Sequence, residues 1–460
     1  MAVTAAAGAS SSRRARARQR AFRHPGYVVL AGFLAAIAVG TLLLSLPVAS
    51  ADGRRTGFVD ALFTATSAVT VTGLTAVDTA THWSNFGDVV ILVLIQIGGL
   101  GILTSASLLF LIVARRVGLR RRLAAQMEVR SLELGGLRRL ILLIVGVTFI
   151  TEALVAAVLT ARFWLSYDES FPTALWHGVF HSVAAFNNAG FTLFPGSLAP
   201  FSGDPVILLP VAGAIILGGL GFPVWAELSR RPGPLARWSI HTKITLAATG
   251  ILLAISTVVM TAFEWDNPRT LGDGSTGARA LDGFFTGVMP RTAGFGVFDY
   301  NDAGQDTLLV ADILMMIGGG SGGTAGGLKV TTVALLALIV WAELRGDRQV
   351  VAFRRHIPES IQRQAITIAA LLISAVTFGT LALVIVSDQS LGVALSEVIA
   401  ATSTTGFSIG LSNELGDAGK LVLIPLMLLG RIGPLTLGST LILRETQRRY
   451  TQPEERIMVV

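Results

Sequence analysis

Eight apolar segments alternate with shorter polar stretches along the chain, near residues 27–49, 86–114, 138–162, 204–228, 243–263, 306–344, 364–387 and 418–443. Each reaches the roughly 20 residues that cross a ~30 Å hydrocarbon core. They group into four pairs. Between the members of each pair lies a shorter, mostly apolar stretch, at 57–69, 173–186, 278–290 and 391–402. These stretches are too short to span, and their length suits a re-entrant half-helix. An interfacial surface helix is the alternative of the same length. Two crossings separate successive short stretches, so all four pairs share one orientation, as parallel repeats. The pattern predicts an all-α polytopic membrane protein. It has four parallel helix–pore helix–helix repeats, with eight transmembrane spans and four re-entrant pore loops around a pseudo-four-fold pore.

Every short stretch ends on a glycine phrase. The phrases are Thr70-Val71-Thr72-Gly73, Asn187-Asn188-Ala189-Gly190, Arg291-Thr292-Ala293-Gly294 and Ser403-Thr404-Thr405-Gly406, each followed by a bulky apolar residue: Leu74, Phe191, Phe295 or Phe407. Backbone that is neither helix nor strand survives at membrane depth only where it lines water or protein. Rings of carbonyl oxygens can replace the hydration shell of a cation there, and glycine permits the conformations that turn carbonyls toward one axis. The phrases are therefore read as an ion-binding selectivity filter. Thr72, Asn188, Thr292 and Thr404 are expected to brace it, and the bulky residues to wedge it. A half-helix entering the membrane points its negative end at the centre, which favours a cation. Arg291 is expected to point away from the axis, toward an external carboxylate.

Composition supports the membrane class. The chain of 460 residues is 52% hydrophobic and 14% charged, with mean hydropathy +0.66, whereas soluble domains carry about 25% charge. With no cysteine, disulfides and thiolate chemistry are excluded. Most of the basic residues behind the net charge of +7 cluster. They include Arg13–Arg23 in the N-terminal tail, Arg115–Arg139 after the second span, Arg230–Lys243, Arg345–Arg363 and Arg444–Arg456. Each cluster follows an even number of spans, which makes these segments and both termini cytoplasmic. Their alternation with spans argues against nucleic-acid binding. The residues divide into a basic tail 1–25, repeats at 26–114, 138–228, 243–344 and 363–443, and a tail 444–460. The apolar stretch 27–49 is too long for a cleaved signal core and is read as a retained span.

Two features interrupt the apolar segments. The run Gly318-Gly319-Gly320-Ser321-Gly322-Gly323-Thr324-Ala325-Gly326-Gly327-Leu328-Lys329 cannot sustain a helix. It predicts two helical pieces joined by an intramembrane loop, 318–328, as a gate. A packing site for a neighbouring helix is the alternative. A phosphate-binding loop is excluded because Leu328 stands where that motif needs lysine. Arg431, in Gly430-Arg431-Ile432-Gly433-Pro434, lies near mid-membrane, where an arginine costs at least about 2.5 kcal/mol unless it faces water or a partner. It is expected to hold the glycine-rich loop or to repel cations until the loop moves, a structural salt bridge being the alternative. His177 and His181 are one helical turn apart but lack further ligands, so no zinc site is read there.

These motifs, above all Phe186-Asn187-Asn188-Ala189-Gly190-Phe191, Pro290-Arg291-Thr292-Ala293-Gly294-Phe295, the run through Lys329 and Gly430-Arg431-Ile432-Gly433-Pro434, resemble the Trk/Ktr/HKT superfamily of potassium transporters over about residues 26–445. The short N-terminus is similar to the KtrB-type branch. The resemblance implies a potassium-uptake subunit of a bacterial cell membrane. Glycine in all four phrases goes with potassium, gating belongs to 318–328 with Lys329 and to Arg431, and sodium stimulates flux. It implies a homodimer on a cytoplasmic ring of nucleotide-binding regulatory subunits, KtrA-like or TrkA-like. This chain binds no nucleotide itself and catalyses no reaction. A sodium-conducting or sodium/potassium co-transporting member of the superfamily is the alternative.

Overall fold

A computed structural model describes residues 25–122, 134–230 and 238–443. Both basic tails, the side chains of the 115–138 arginines and those of 230–237 lie outside these residues. Among the described residues the regular elements are helices, apart from a two-stranded antiparallel hairpin that pairs Val351 with His356.

Among the described residues four helices are long and apolar enough to cross a membrane: Asn85–Thr104, Arg139–Ser166, Ile240–Glu264 and Glu359–Ser387. Their outer faces carry exposed apolar side chains, among them Ile150, Leu165, Val258, Phe378 and Ile385. A soluble protein hides such surface, whereas lipid solvates it. The chain is an integral membrane protein.

Short helices fill the interior. Phe58–Thr70, Phe171–Asn187 and Leu391–Ser403 are buried along most of their length, and Thr276–Val288 along its C-terminal half. Ser170 and Ser275 cap the second and third by accepting the amides of Thr173 and Ala278, which satisfies donors the first turn leaves free. Each short helix packs between two longer helices, and the pattern runs in a circle. Asn85–Arg122 touches the first and second short helices, and Pro205–Leu220 the second and third. Gln305–Met316 touches the fourth, and Asp417–Leu443 touches the fourth and the first. An ion pair closes the circle, with Lys420 Nζ 2.6 Å from Asp60 Oδ1.

Two long apolar segments are broken. The segment 204–228, read from sequence as one span, is Pro205–Leu220 and Phe222–Ser229 bent by 93°. The break sits at Gly221, whose φ of +90° other residues rarely adopt, with Pro223 just beyond. The segment 306–344 is Gln305–Met316 and Val330–Arg345 with irregular chain between them. The two breaks are partners: the Gly320 amide donates to the Gly219 carbonyl (2.8 Å), Thr324 to Gly218 (3.1 Å) and Phe222 to Gly322 (3.2 Å). Each break supplies the hydrogen bonds that the other's interrupted helix lacks.

Candidate functional site

The four glycine phrases meet at one place. A methyl group built on Gly73 would strike the Ala189 carbonyl and come 3.0 Å from the Gly190 Cα. One on Gly190 would come 3.1 Å from the Gly294 Cα. One on Gly294 would come 2.5 Å from the Thr405 carbonyl oxygen and 3.3 Å from the Gly406 Cα. One on Gly406 would come 2.8 Å from the Gly73 Cα. The phrases thus form a closed ring in chain order. All four glycines have positive φ, +91°, +68°, +72° and +71°. Conformation and space both demand glycine at each position.

The residues two before each glycine, Val71, Asn188, Thr292 and Thr404, are also left-handed, with φ of 52–62°. β-branched side chains resist that region, so the fold imposes it on Val71, Thr292 and Thr404. The cause is the helix ending. In three phrases the amides turn back onto the short helix in a paired cap: Thr72 to Ser67 (2.8 Å), Ala189 to Ala184 (2.8 Å) and Thr405 to Ala400 (2.9 Å). In the third phrase Ala293 donates to Met289 (3.1 Å). The Gly73 amide is held by Ser67 Oγ at 3.0 Å. With the amides tied behind, no donor among the described residues reaches the carbonyls of Thr72, Ala189, Ala293 or Thr405.

Bracing differs between phrases. Thr70 and Thr72 share a hydroxyl pair at 2.7 Å, as do Ser403 and Thr405. Thr292 and Thr404 have buried hydroxyls without a partner among the described residues. Asn188 Nδ2 donates to the Arg291 carbonyl at 3.2 Å, which links the second and third phrases. Leu74, Phe191, Phe295 and Phe407 are all buried to 2% or less exposure. Arg291 points outward but pairs with no carboxylate among the described residues. Its guanidinium reaches Thr249 Oγ1 at 3.4 Å on the helix behind, because the buried residues of that helix on either side of Thr249 are the hydroxyl-bearing Thr245 and Ser256, and its buried acid, Glu264, is taken up by Thr270, Gly304 and Thr307. His177 bonds Glu169 (3.0 Å) and His181 stacks on Phe194 (4.7 Å), both within the wall around the second short helix.

Behind the phrases, glycines of the longer helices receive the short-helix ends. Gly98 lies against the Val69 carbonyl, Gly218 against Phe186 and Gly430 against Thr402. Each of those carbonyl residues stands four before the phrase glycine. Sequence reading names Gly430 only as part of the Arg431 motif and does not single out Gly98 or Gly218, which look like ordinary helix-packing residues. It also passed over Glu152, a lone carboxylate inside the apolar stretch 138–162, where an intramembrane charge is itself a signal.

The glycine-rich run sits beside this ring. A parallel bridge joins Ile317 to Leu328, and the Gly318 amide donates to the Leu328 carbonyl at 2.8 Å. Thr324 Oγ1 donates to Asn188 Oδ1 (2.9 Å) and to the Phe186 carbonyl (3.2 Å). Gly326 packs on Ser403 and Thr404 so closely that it has no room for a side chain. Arg431 Nη1 donates to the Thr324 carbonyl, and Lys329 Nζ to the Ala325 carbonyl at 2.5 Å. Arg431 is 4% exposed and pairs with no carboxylate among the described residues. A cavity of about 530 Å³ opens below, lined in part by Ser321, Gly322, Lys329, Arg431, His241 and His356.

These features define an integral membrane protein that draws four equivalent segments of one chain to a common centre. Its residues 1–448 match the model of the TrkH family, described as a cation transport protein, and the chain belongs to that family. The family is one of membrane cation transporters, not enzymes. The chain is 37% identical over 412 residues to the Ktr system potassium uptake protein B of Bacillus subtilis, covering 90% of this chain and 92% of that one. It is 38% identical over 416 residues to the protein of the same name from Vibrio alginolyticus, covering 90% of each. It is 34% identical over 441 residues to the potassium/sodium uptake protein NtpJ of Enterococcus hirae, covering 95% of this chain and 97% of that one. Its fold is similar to that of the potassium transporter TrkH from Vibrio parahaemolyticus, with TM-score 0.68, 20% identity, and coverage of 90% of this chain and 85% of that one.

Proposed function

We propose that this chain is the ion-translocating subunit of a potassium-uptake system, with the four glycine phrases as its selectivity filter. The observation that carries this reading is the closed ring of glycines whose neighbouring carbonyls have no hydrogen-bond donor. Unpaired buried carbonyls are costly unless something satisfies them, and a dehydrated cation at the ring centre would do so. The C-terminal ends of the short helices also meet at this ring and add negative potential there. The names of the relatives from Bacillus subtilis and Vibrio alginolyticus support potassium as the substrate.

In this reading the membrane topology is eight spans and four re-entrant loops, with both termini cytoplasmic. Entry is driven by the membrane potential, which releases about 2.3 kcal/mol per charge for each 100 mV. The run 318–328, anchored by Thr324, Lys329 and Arg431, blocks the path on the inner side until it moves. Because this chain carries no nucleotide-binding motif, control by nucleotide falls to a cytoplasmic regulatory ring, on which the chain sits as a homodimer. The Ktr system named for the relatives agrees with a multi-component assembly.

Sodium permeation is the second reading, favoured by the printed name of the Enterococcus hirae relative. Uptake of potassium or rubidium against uptake of sodium, in a bacterial strain lacking its own potassium uptake, separates them. Growth rescue at low potassium with little sodium entry supports the first reading. Sodium entry equal to or above rubidium entry overturns it.

A further inference from the structure

Glu152 lies inside Leu134–Ser166, is 5% exposed, and faces the second glycine phrase. Its Oε1 accepts from Asn187 Nδ2 at 3.1 Å, and its Oε2 accepts from Gln96 Nε2 at 3.3 Å. Among the described residues no cationic side chain pairs with it. A carboxylate kept in an apolar helix at this depth carries a standing cost, so the contacts it makes call for a functional reason.

The second phrase gives that reason. In the first and last phrases the residue three before the glycine braces its own strand, through Thr70–Thr72 and Ser403–Thr405. The second phrase has Ala189 at the receiving position, so Asn187 has no hydroxyl ahead of it. Its amide turns back instead. Asn187 Nδ2 is shared among Glu152, Gln96 Oε1 (2.9 Å) and the Val183 carbonyl (2.9 Å), while its Oδ1 has no partner and lies against Gly99, where no side chain fits. Three acceptors therefore fix which way the amide points. Asn187 is joined by one peptide bond to left-handed Asn188, whose side chain grips both the third phrase and Thr324 of the glycine-rich run.

We propose that Glu152 is a positioning residue for ion selection. Acting through Asn187, with Gln96, it sets the register of the second filter strand, a task the first and last strands perform with their own hydroxyls. The proposal rests on the filter reading above. What matters in it is the acceptor that Glu152 presents to Asn187.

The test is rubidium and sodium flux into liposomes carrying the purified full-length protein. Glu152→Leu removes the acceptor, and Asn187→Asp replaces the donor with a second carboxylate. Each is expected to lower the rubidium-to-sodium preference about tenfold, the factor that corresponds to a charge-assisted hydrogen bond. The double variant Asn187→Asp with Glu152→Gln restores a donor–acceptor pair with its polarity reversed, and is expected to recover most of the preference. A purely structural role would lower the yield of folded protein without changing the ratio. If Glu152→Leu retains wild-type preference, the proposal is wrong. If Glu152→Leu does not fold, the reversed pair decides, and a double variant no better than Asn187→Asp alone is equally fatal. A wild-type protein that carries no rubidium sinks the potassium reading itself, a separate result that leaves Glu152 with no filter to position.

Discussion

Gly406 packs on Gly73, so that a methyl group on the former would come 2.8 Å from the Cα of the latter. This contact joins the last glycine phrase to the first and turns a linear series into a ring. It also explains why no larger residue fits. At Gly73 a side chain would meet both the Ala189 carbonyl and Gly190, at a φ of +91°. Gly73→Ser therefore adds a clash and left-handed strain of about 1–3 kcal/mol, with nothing nearby but backbone to give way. The expected result is a rubidium-to-sodium preference at least about tenfold lower, measured as competing uptake in cells. Unchanged preference would separate the glycine ring from selection.

The ring was legible in the sequence because it repeats. One Gly73 carries no signal, but four glycines each ending a short apolar stretch do. The repeat does not reveal how the phrases differ. Thr72 braces its strand through Thr70, whereas Thr292 and Thr404 leave their hydroxyls unpaired, and the difference depends on helix ends that only the fold brings together. The bend at Gly221 was hidden for a related reason. Gly221-Phe222-Pro223 is ordinary punctuation in an apolar segment until the amides of Gly320 and Thr324 arrive to satisfy the broken helix. Charge alone predicts a carboxylate beside Arg291, which reaches Thr249 instead. Charge complementarity predicts a partner's type, but only packing decides who is near.

Gly326 lies against the Ser403 carbonyl and Thr404, and a methyl group there would collide with both. The Ser403 contact is backbone in the fourth phrase, which cannot yield without disturbing the ring. Gly326→Ala should push the glycine-rich run away from its seat. Expected is a rise of several-fold in basal rubidium flux in liposomes without any regulatory partner. Flux equal to or below wild type would mean that the run does not obstruct the path.

Arg431 donates to the Thr324 carbonyl, and Thr324 in turn donates to Asn188. One side chain thus ties the last helix to the glycine-rich run and, through it, to the second phrase. Arg431→Ala removes a charge-assisted hydrogen bond worth roughly 1.5–3 kcal/mol and, on the gating reading proposed above, also removes a positive charge from the inner path. Both effects favour cation passage. Basal flux in liposomes should increase by about tenfold or more; wild-type flux and gating would leave Arg431 as structural support only.

Asp204 offers a pH-dependent test away from the four glycine phrases. It caps the helix Pro205–Leu220 by accepting the Val206 amide at 2.9 Å. It also accepts from Arg162 Nε at 2.8 Å and from the Tyr167 hydroxyl at 2.9 Å. Burial pushes its carboxyl upward, but the bonds from Arg162, Tyr167 and Val206 outweigh that and hold it below the ordinary carboxylate value of 3.8. A carboxyl depressed by folding stabilises the protein above its unfolded pKa, and that stability is lost as pH falls through the lower folded value. Asp204→Asn retains a capping oxygen but removes the charge and puts an amide nitrogen where Oδ2 accepts from Arg162 and Tyr167. Its melting temperature in detergent should therefore lie below wild type at about pH 7, with the gap unchanged down to about pH 4 and closing below it. A gap that persists unchanged in more acidic buffer would place the contribution of Asp204 in its cap alone. A gap that widens on acidification would reverse the sign of the carboxyl's shift.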